Sequence, residues 1–405
     1  MEGRIAVIGG GPAGMMAAIR AAETLGEGSR ITLFERNDRL GRKIYLTGKG
    51  RCNLTNRRGW EEFSPHIHPN QGFLKHAFRA FSNEELIRYF EEVLVVPTVT
   101  QQGQRVYPAS LVAGDVARAL ERRVKALGVE VRYGSRITSL GQLEGYSAVI
   151  VATGGKSYPV TGSTGDGYAM AREAGHAVTT LFPSETAMLP KDYDRRLIGL
   201  TLKHVGLSLN VDKTCVQQEE GEFDFTPDGL ESGIAYKLSR RAVWALVNGQ
   251  KVEIVLDLKP ALSEEQLNNR LMSASRLRDC DASQKNALLT QVPPAATLRS
   301  FMPQVLIEPF VQAHPGISNE TLPKALKYWS FPIVGYKGFE RAVVTAGGVS
   351  LKEIVPKTME SRLRKGLYFC GEVLDLDGDT GGYNLQIAFS TGALAGVNAA
   401  RAVLQ

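Results

Sequence analysis

The run Gly9-Gly10-Gly11-Pro12-Ala13-Gly14 places three glycines at the spacing G-x-G-x-x-G, after an apolar strand signal and at the opening of a helix. In that context the three glycines act differently. Gly9 makes a tight turn, Gly11 lets the backbone reach a diphosphate, and Gly14 lets helix and strand pack closely. Pro12 and Ala13 open the helix, whose free N–H groups and positive dipole end suit an anion. Glu35, 21 residues past Gly14, can accept hydrogen bonds from both hydroxyls of a ribose. Its charge repels a 2′-phosphate, which argues against NADP here, and Arg36 follows it as a second contact. A dinucleotide is the expected ligand; this motif alone does not choose between NAD and FAD.

The C-terminal block points to a flavin. Leu367-Tyr-Phe-Cys-Gly371-Glu372 reads as a strand ending in a small residue and a carboxylate, suited to a ribityl and phosphate region. In Gly381-Gly382-Tyr383-Asn384-Leu385-Gln386 two glycines release the chain into a helix. The positive end of that helix would stabilise negative charge at N1 and O2 of a reduced flavin. Ala152-Thr153-Gly154-Gly155 ends a buried strand and adds a second nucleotide-proximal turn, and Val131 on the strand 129–133 is a further expected contact.

The elements that must position these residues follow from hydrophobic periodicity. Strand 4–8, a helix over roughly 12–25 and strand 30–35 form a βαβ opening. Ser82-Asn-Glu-Glu85 is a capping box, a helix runs from Ser110 to Leu127 and stops at Gly128, and strands are expected at 129–133, 136–140 and 148–152. From about Phe182 the pattern alternates, as in 202–211 and 251–258, which predicts antiparallel strands. Helices capped by Ser263, Ser283 and Ser318 fill 260–329, and 342–405 returns to strand, strand and long helix. The fold class is α/β, a Rossmann-type FAD-binding domain of the two-dinucleotide-fold kind with an inserted β-barrel-like domain and a small helical domain. The expected boundaries are 1–183 and 342–405 for the FAD-binding parts, 184–259 plus 330–341 for the barrel-like substrate domain, and 260–329 for the helices.

Gly41-Arg42-Lys43-Ile-Tyr-Leu-Thr47-Gly-Lys-Gly50-Arg51-Cys52-Asn53 is the most distinctive stretch. It resembles a hallmark, GRK followed by G-x-G-R-C-N, of the flavoprotein family of NAD(P)/FAD-dependent oxidoreductases that contains aminoacetone oxidase-type enzymes and reductases of 3-oxo bile acids. Residues 349–354 and the run from Asp375 to Gln386 are similar to other blocks of that family, so the likeness spans nearly the whole chain. It implies the three-domain plan, non-covalent FAD, and a lining of Arg42, Lys43 and the loop Gly50, Arg51, Cys52 and Asn53 around the flavin. Two positions depart from the pattern. Thr226-Pro227 stands where relatives have Thr-His, and Ile387 stands where they commonly have tryptophan, so no substrate-side histidine carries over.

Other residues read more plainly. Cys52 lacks a second cysteine nearby and reads as a packed residue. His66-Ile-His68 reads as a solvated loop without a third metal ligand. Tyr107, Tyr158, Tyr336 and Tyr383 are candidate proton donors with no reason to choose one, and Trp329 and Phe331 suit either a substrate wall or a core. The net charge is +6, with Lys and Arg interleaved among Asp and Glu, so nucleic acid is not the expected partner. A strand signal at Ile5 leaves no room for a leader, apolar runs such as Ser147 to Ala152 are far too short to span a bilayer, and the cysteines at 52, 215, 280 and 370 form no framework, so a cytoplasmic protein is expected. The leading expectation is hydride transfer between FAD and a small organic substrate, in the manner of aminoacetone oxidation with O2. The alternatives are an enone reductase in which NAD(P)H binds transiently as reductant, and a non-catalytic flavin protein that binds RNA or a regulatory partner.

Overall fold

The computed structural model describes residues 3–28, 30–274 and 288–405; Cys280 and the expected cap Ser283 lie outside them. Two compact units emerge, one of residues 3–184 with 339–405 and one of residues 185–338.

In the first unit, short runs of β-branched and apolar residues make a five-stranded parallel sheet. Its order is Leu367–Phe369, Ala148–Val151, Ile5–Ile8, Ile31–Phe34, Glu130–Arg132. Ile5–Ile8 and Ile31–Phe34 are buried at every position, as a parallel sheet covered on both faces requires. Ile5 pairs with Ile31 on one side and Ala148 on the other, so the turns after these strands open at the same edge.

The helix Pro12–Leu25 leaves the first of those turns and stops at Gly26, whose φ of 79° only a glycine adopts at ease. Against it lies the 22-residue closing helix Tyr383–Leu404. A Cβ at Gly392 would sit 2.3 Å from the Ala13 carbonyl oxygen, and one at Gly396 would sit 2.2 Å from that of Ala17. Each glycine costs a helix about 1 kcal/mol of propensity, offset here by backbones brought into direct contact. The closing helix is long and apolar enough to cross a membrane, yet 67% of its apolar window is buried in the unit, as in a core helix.

The capping box forms as expected, with Glu85 N donating to Ser82 Oγ and Ser82 N to the Glu85 carboxylate. The strand expected at 136–140 does not form. Gln142 Oε1 accepts from the amides of Thr138 and Ser139, and Ser139 Oγ accepts from Gly141 N. These side chains satisfy backbone groups that a neighbouring strand would otherwise take, and a short 3₁₀ turn at Leu140–Leu143 results. The expected solvated loop at His66 and His68 is also corrected: Ile67–His68 is a short strand paired antiparallel with Asp377–Gly378.

The second unit is a closed antiparallel barrel of six strands, in the order Met188–Pro190, Gly229–Glu231, Thr214–Thr226, Thr201–Val211, Val252–Asp257, Trp329–Tyr336 and back to the first. Alternation sets its interior: Val252, Ile254 and Leu256 are buried, as are Trp329, Phe331 and Ile333 on the next strand. Trp329 and Phe331 pack with tilted rings in an aromatic cluster with Phe225 and are core residues. Helices Glu264–Ala274, Ala295–Arg299, Gln304–Ala313 and Leu322–Lys327 occupy the stretch between the last two strands. Ser263 Oγ caps the first by accepting from Gln266 N, and Ser318 Oγ accepts from Thr321 N just ahead of the last.

Candidate functional site

Gly9 turns at φ 101°, and a Cβ there would lie 2.5 Å from the Ala152 carbonyl oxygen. The turn of Ala152, Thr153 and Gly154 therefore lies directly against the fingerprint. At Gly14 a Cβ would come within 1.8 Å of the Gly9 carbonyl oxygen. At Gly11 nothing lies within 4 Å, so the space over the helix N-terminus is open where a diphosphate must approach. Gly11 caps that helix with no side-chain bond and Pro12 follows it, so the first-turn amides keep their donors.

Glu35 is buried, and its carboxylate accepts three hydrogen bonds. Gly10 N donates to one oxygen at 2.8 Å, while Asn37 N and Asn37 Nδ2 donate to the other at 2.8 and 2.7 Å. A carboxylate has room for about four such bonds, so capacity for a ribose hydroxyl remains. Arg36 turns to Thr164 Oγ1 and Asp166, and Arg42 donates to Asn37 Oδ1 at 2.9 Å. Val131 lies half-buried on the edge strand, paired with Leu33.

Lys43 runs the other way from Arg42. Its ammonium donates to Ser157 Oγ at 2.8 Å and pairs with Glu372 at 2.7 Å. The other oxygen of Glu372 accepts from Ser157 Oγ and Thr345 N, so one oxygen ties the C-terminal block to Lys43 and the second ties it to the 157 and 345 segments. Gly371 touches the fingerprint helix, since a Cβ on it would be 2.7 Å from that of Ala13.

The loop after Lys43 carries a run of left-handed residues: Gly48, Lys49, Gly50 and Cys52 all have φ between 56° and 86°. Cys52 is fully buried, and that burial pushes its thiol up to about 12 against a small opposing hydrogen bond from Thr47. It is a packed residue with negligible thiolate at neutral pH. Arg51 is exposed and lies over the Tyr107 ring. Asn53 Oδ1 is buried without a hydrogen-bond partner. Such an orphan acceptor costs about 1–3 kcal/mol unless a ligand supplies the donor, and a flavin ring N–H is a donor of the right kind. The open helix terminus, the spare capacity of Glu35 and the orphan Asn53 together fit FAD.

At the start of the closing helix, Gly382 (φ 98°) could not carry a Cβ, which would meet the Thr55 carbonyl oxygen at 2.4 Å. Asn384 holds the turn by donating to Gly378 O and accepting from Gly378 N. Leu385 and Gln386 point inward, and the Gln386 amide is fully engaged by Thr55 Oγ1, Phe81 O and Ser390 Oγ. Gln386 thus binds the closing helix to the 55 and 81 segments.

Beside this turn stands a cluster that sequence reasoning missed. Asp379 accepts from both histidines, His66 Nδ1 at 2.8 Å and His68 Nε2 at 3.0 Å. Burial alone would raise its pKa, but the two imidazole hydrogen bonds outweigh it and hold the carboxyl at about 2. His66 stacks on Tyr383, with ring centroids 4.4 Å apart. Arg58 Nη1 lies 3.2 Å from His66 Nε2 and donates to Tyr383 Oη at 2.8 Å. With His66 Nδ1–H given to Asp379, Nε2 is the acceptor for Arg58. Burial raises the Tyr383 phenol and the Arg58 hydrogen bond opposes that. Among the described residues no cluster of His, Cys, Asp or Glu could hold a metal ion.

Comparison with known proteins bears on what this arrangement does. The model of the family described as HI0933-like protein Rossmann domain matches residues 3–398. The chain is 30% identical over 415 residues to the 3-dehydro-bile acid delta(4,6)-reductase of Clostridium scindens, covering 98% of this chain and 99% of that protein. It is 28% identical to the ribosomal RNA dihydrouridine synthase of Haemophilus influenzae, covering 95% of each. The structure of the 3-ketosteroid-delta4-(5alpha)-dehydrogenase of Rhodococcus jostii aligns with a TM-score of 0.50 at 13% identity, over 98% of this chain and 96% of that one, a likeness of fold.

Proposed function

The chain belongs to the HI0933-like Rossmann-domain family and is an FAD-dependent oxidoreductase, and from that premise we propose that it reduces a carbon–carbon double bond conjugated to a carbonyl. The observation that carries this reading is the end-to-end relationship to a delta(4,6)-reductase of a 3-oxo bile acid. A dihydrouridine synthase performs the same kind of chemistry, because the double bond it saturates in uracil is also conjugated to a ring carbonyl. The two relatives differ in substrate size and agree in reaction class.

Flavin supplies hydride in such a reduction. The chain's part is to bind and orient: the first-turn amides after Gly11 take the diphosphate, Glu35 takes a ribose, and the Lys43–Glu372 brace keeps the 41–43 loop on the fingerprint. The amides at the start of the closing helix would stabilise negative charge on a reduced flavin bound beside them. NAD(P)H, bound transiently, is the reductant this reading takes, and a small-molecule enone is the acceptor. A uracil ring in RNA is a second reading of the same chemistry, favoured by alignment over 95% of the chain with dihydrouridine synthases.

Anaerobic stopped-flow absorbance near about 450 nm, where oxidised flavin absorbs, tests this reading. Bleaching by NADH or NADPH, then recovery on adding a 4-en-3-one steroid, is the expected result. Recovery with unmodified ribosomal RNA alone would select the RNA substrate. Bleaching by aminoacetone and by neither pyridine nucleotide would overturn the reductase reading in favour of an amine oxidase using O2.

A further inference from the structure

We propose that Arg58 is the residue that holds the carbonyl oxygen of the substrate and takes up the negative charge that forms there, an inference that rests on the reductive reading above. Arg58 is half-buried, and among the described residues no carboxylate pairs with it. A partly buried guanidinium without a counter-ion is costly unless something anionic completes it. One of its nitrogens, Nη1, is committed to Tyr383 Oη and His66 Nε2. No described residue accepts from Nε or Nη2, and Tyr383 Oη, which accepts from Arg58, donates its own proton to no described residue.

The side chain is also held for the purpose. Asp379 fixes the His66 tautomer so that its Nε2 faces Arg58, and Asn83 Nδ2 anchors the Arg58 carbonyl oxygen at 2.8 Å. Arg105 stands near the same turn, since a Cβ on Gly381 would be 4.0 Å from its Nε, and it too lacks a carboxylate partner among the described residues. Unused donors, a guanidinium that the carboxylate of Asp379 reaches only through His66, and the N-terminus of a 22-residue helix therefore converge beside Gly382. Preorganised donors of this kind are suited to charge that develops during a reaction.

When hydride adds to the β carbon, the π electrons of the C=C bond move toward the carbonyl oxygen and an enolate forms. Arg58 stabilises that oxygen, and a proton from water then bonds to the α carbon. The reduced flavin that gave the hydride is left oxidised, so one hydride, carrying two electrons, and one proton account for the saturated bond.

The deciding experiment compares holoenzyme with wild-type Arg58, Arg58→Lys and Arg58→Gln. Each is reduced with dithionite and mixed anaerobically with 4-androstene-3,17-dione, or separately with oxygen. Binding of 4-chlorophenol, whose phenolate resembles an enolate, is followed in parallel by the flavin visible spectrum. We expect Arg58→Gln to slow reoxidation by the enone about 10²–10³-fold, with oxygen reoxidation unchanged and phenol affinity at least about tenfold weaker. Arg58→Lys should restore most of both. An equal slowing with enone and oxygen would overturn the proposal by assigning Arg58 to the flavin itself, as would no change in either. If wild type reoxidises with no enone while its flavin binds and reacts with oxygen, the reductive reading fails. The phenol titration then decides alone, and equal affinity in wild type and Arg58→Gln overturns the role of Arg58.

Discussion

At the fingerprint turn the backbone does the binding, and Gly9, Gly14 and Glu35 all belong to one βαβ unit. At the start of the closing helix side chains do the work, and they come from far apart: 325 residues separate Arg58 from Tyr383, and 313 separate His66 from Asp379. The first region leaves no room for an added atom at Gly9 and Gly14, and it combines amide dipoles with the single carboxylate of Glu35. The second carries full charges, satisfied in part by one another, with an arginine left over. A cofactor common to many reactions can be gripped by the rigid end, where backbone groups predominate, while the end that must recognise a particular substrate is built from side chains that substitution can retune.

Gly14→Ala tests the rigid end and should have the largest effect. Its methyl would sit 1.8 Å from the Gly9 carbonyl oxygen with only backbone to yield, so the variant should purify colourless, without flavin absorbance near about 450 nm. A yellow Gly14→Ala protein would break the contrast, because the fingerprint would then be as adaptable as the other end.

Asp379→Asn tests the charged end with a smaller, pH-dependent effect. The folded pKa of Asp379, about 2, lies below the ordinary 3.8. A carboxyl depressed in this way stabilises the fold above pH 4 and loses that contribution as pH falls through about 2. The difference corresponds to about 2 kcal/mol. In urea denaturation at a series of pH values, the advantage of wild type over Asp379→Asn should shrink by that amount between pH 5 and about 2. An advantage constant with pH would mean that Asp379 acts by shape and not by charge.

The same contrast explains what could be read from sequence. Gly9, Gly14 and Glu35 were legible because each answers to a local backbone need, and the capping box at Ser82 and Glu85 for the same reason. His66 and His68 read as solvated because their partner, Asp379, is brought to them only by the pairing of Ile67–His68 with Asp377–Gly378. Arg58 follows Arg57 and looks like one of two surface cations; its lack of a counter-ion is a property of three-dimensional neighbours. Alternation at 202–211 and 251–258 foretold strands, but closure into a barrel depends on Met188–Pro190 bridging Gly229–Glu231 and Trp329–Tyr336, three segments with no shared signal. At 136–140 alternation misled, since polar side chains of the same stretch satisfied the backbone first.

Tyr383→Phe is the finest probe of the charged end. The ring is buried against Phe63 and His66, and phenylalanine preserves both contacts, so packing stays and only the hydroxyl goes. Arg58 Nη1 would lose its 2.8 Å acceptor while keeping His66 Nε2. A single hydrogen bond to a charged group is worth about 1.5–3 kcal/mol, and partial solvent access should hold the stability loss near about 1 kcal/mol by urea denaturation. Flavin should remain bound, because no backbone group of the fingerprint is touched. A loss of flavin in Tyr383→Phe would show that the hydroxyl itself grips the cofactor, and the division between a binding end and a recognising end would have to be redrawn around Tyr383.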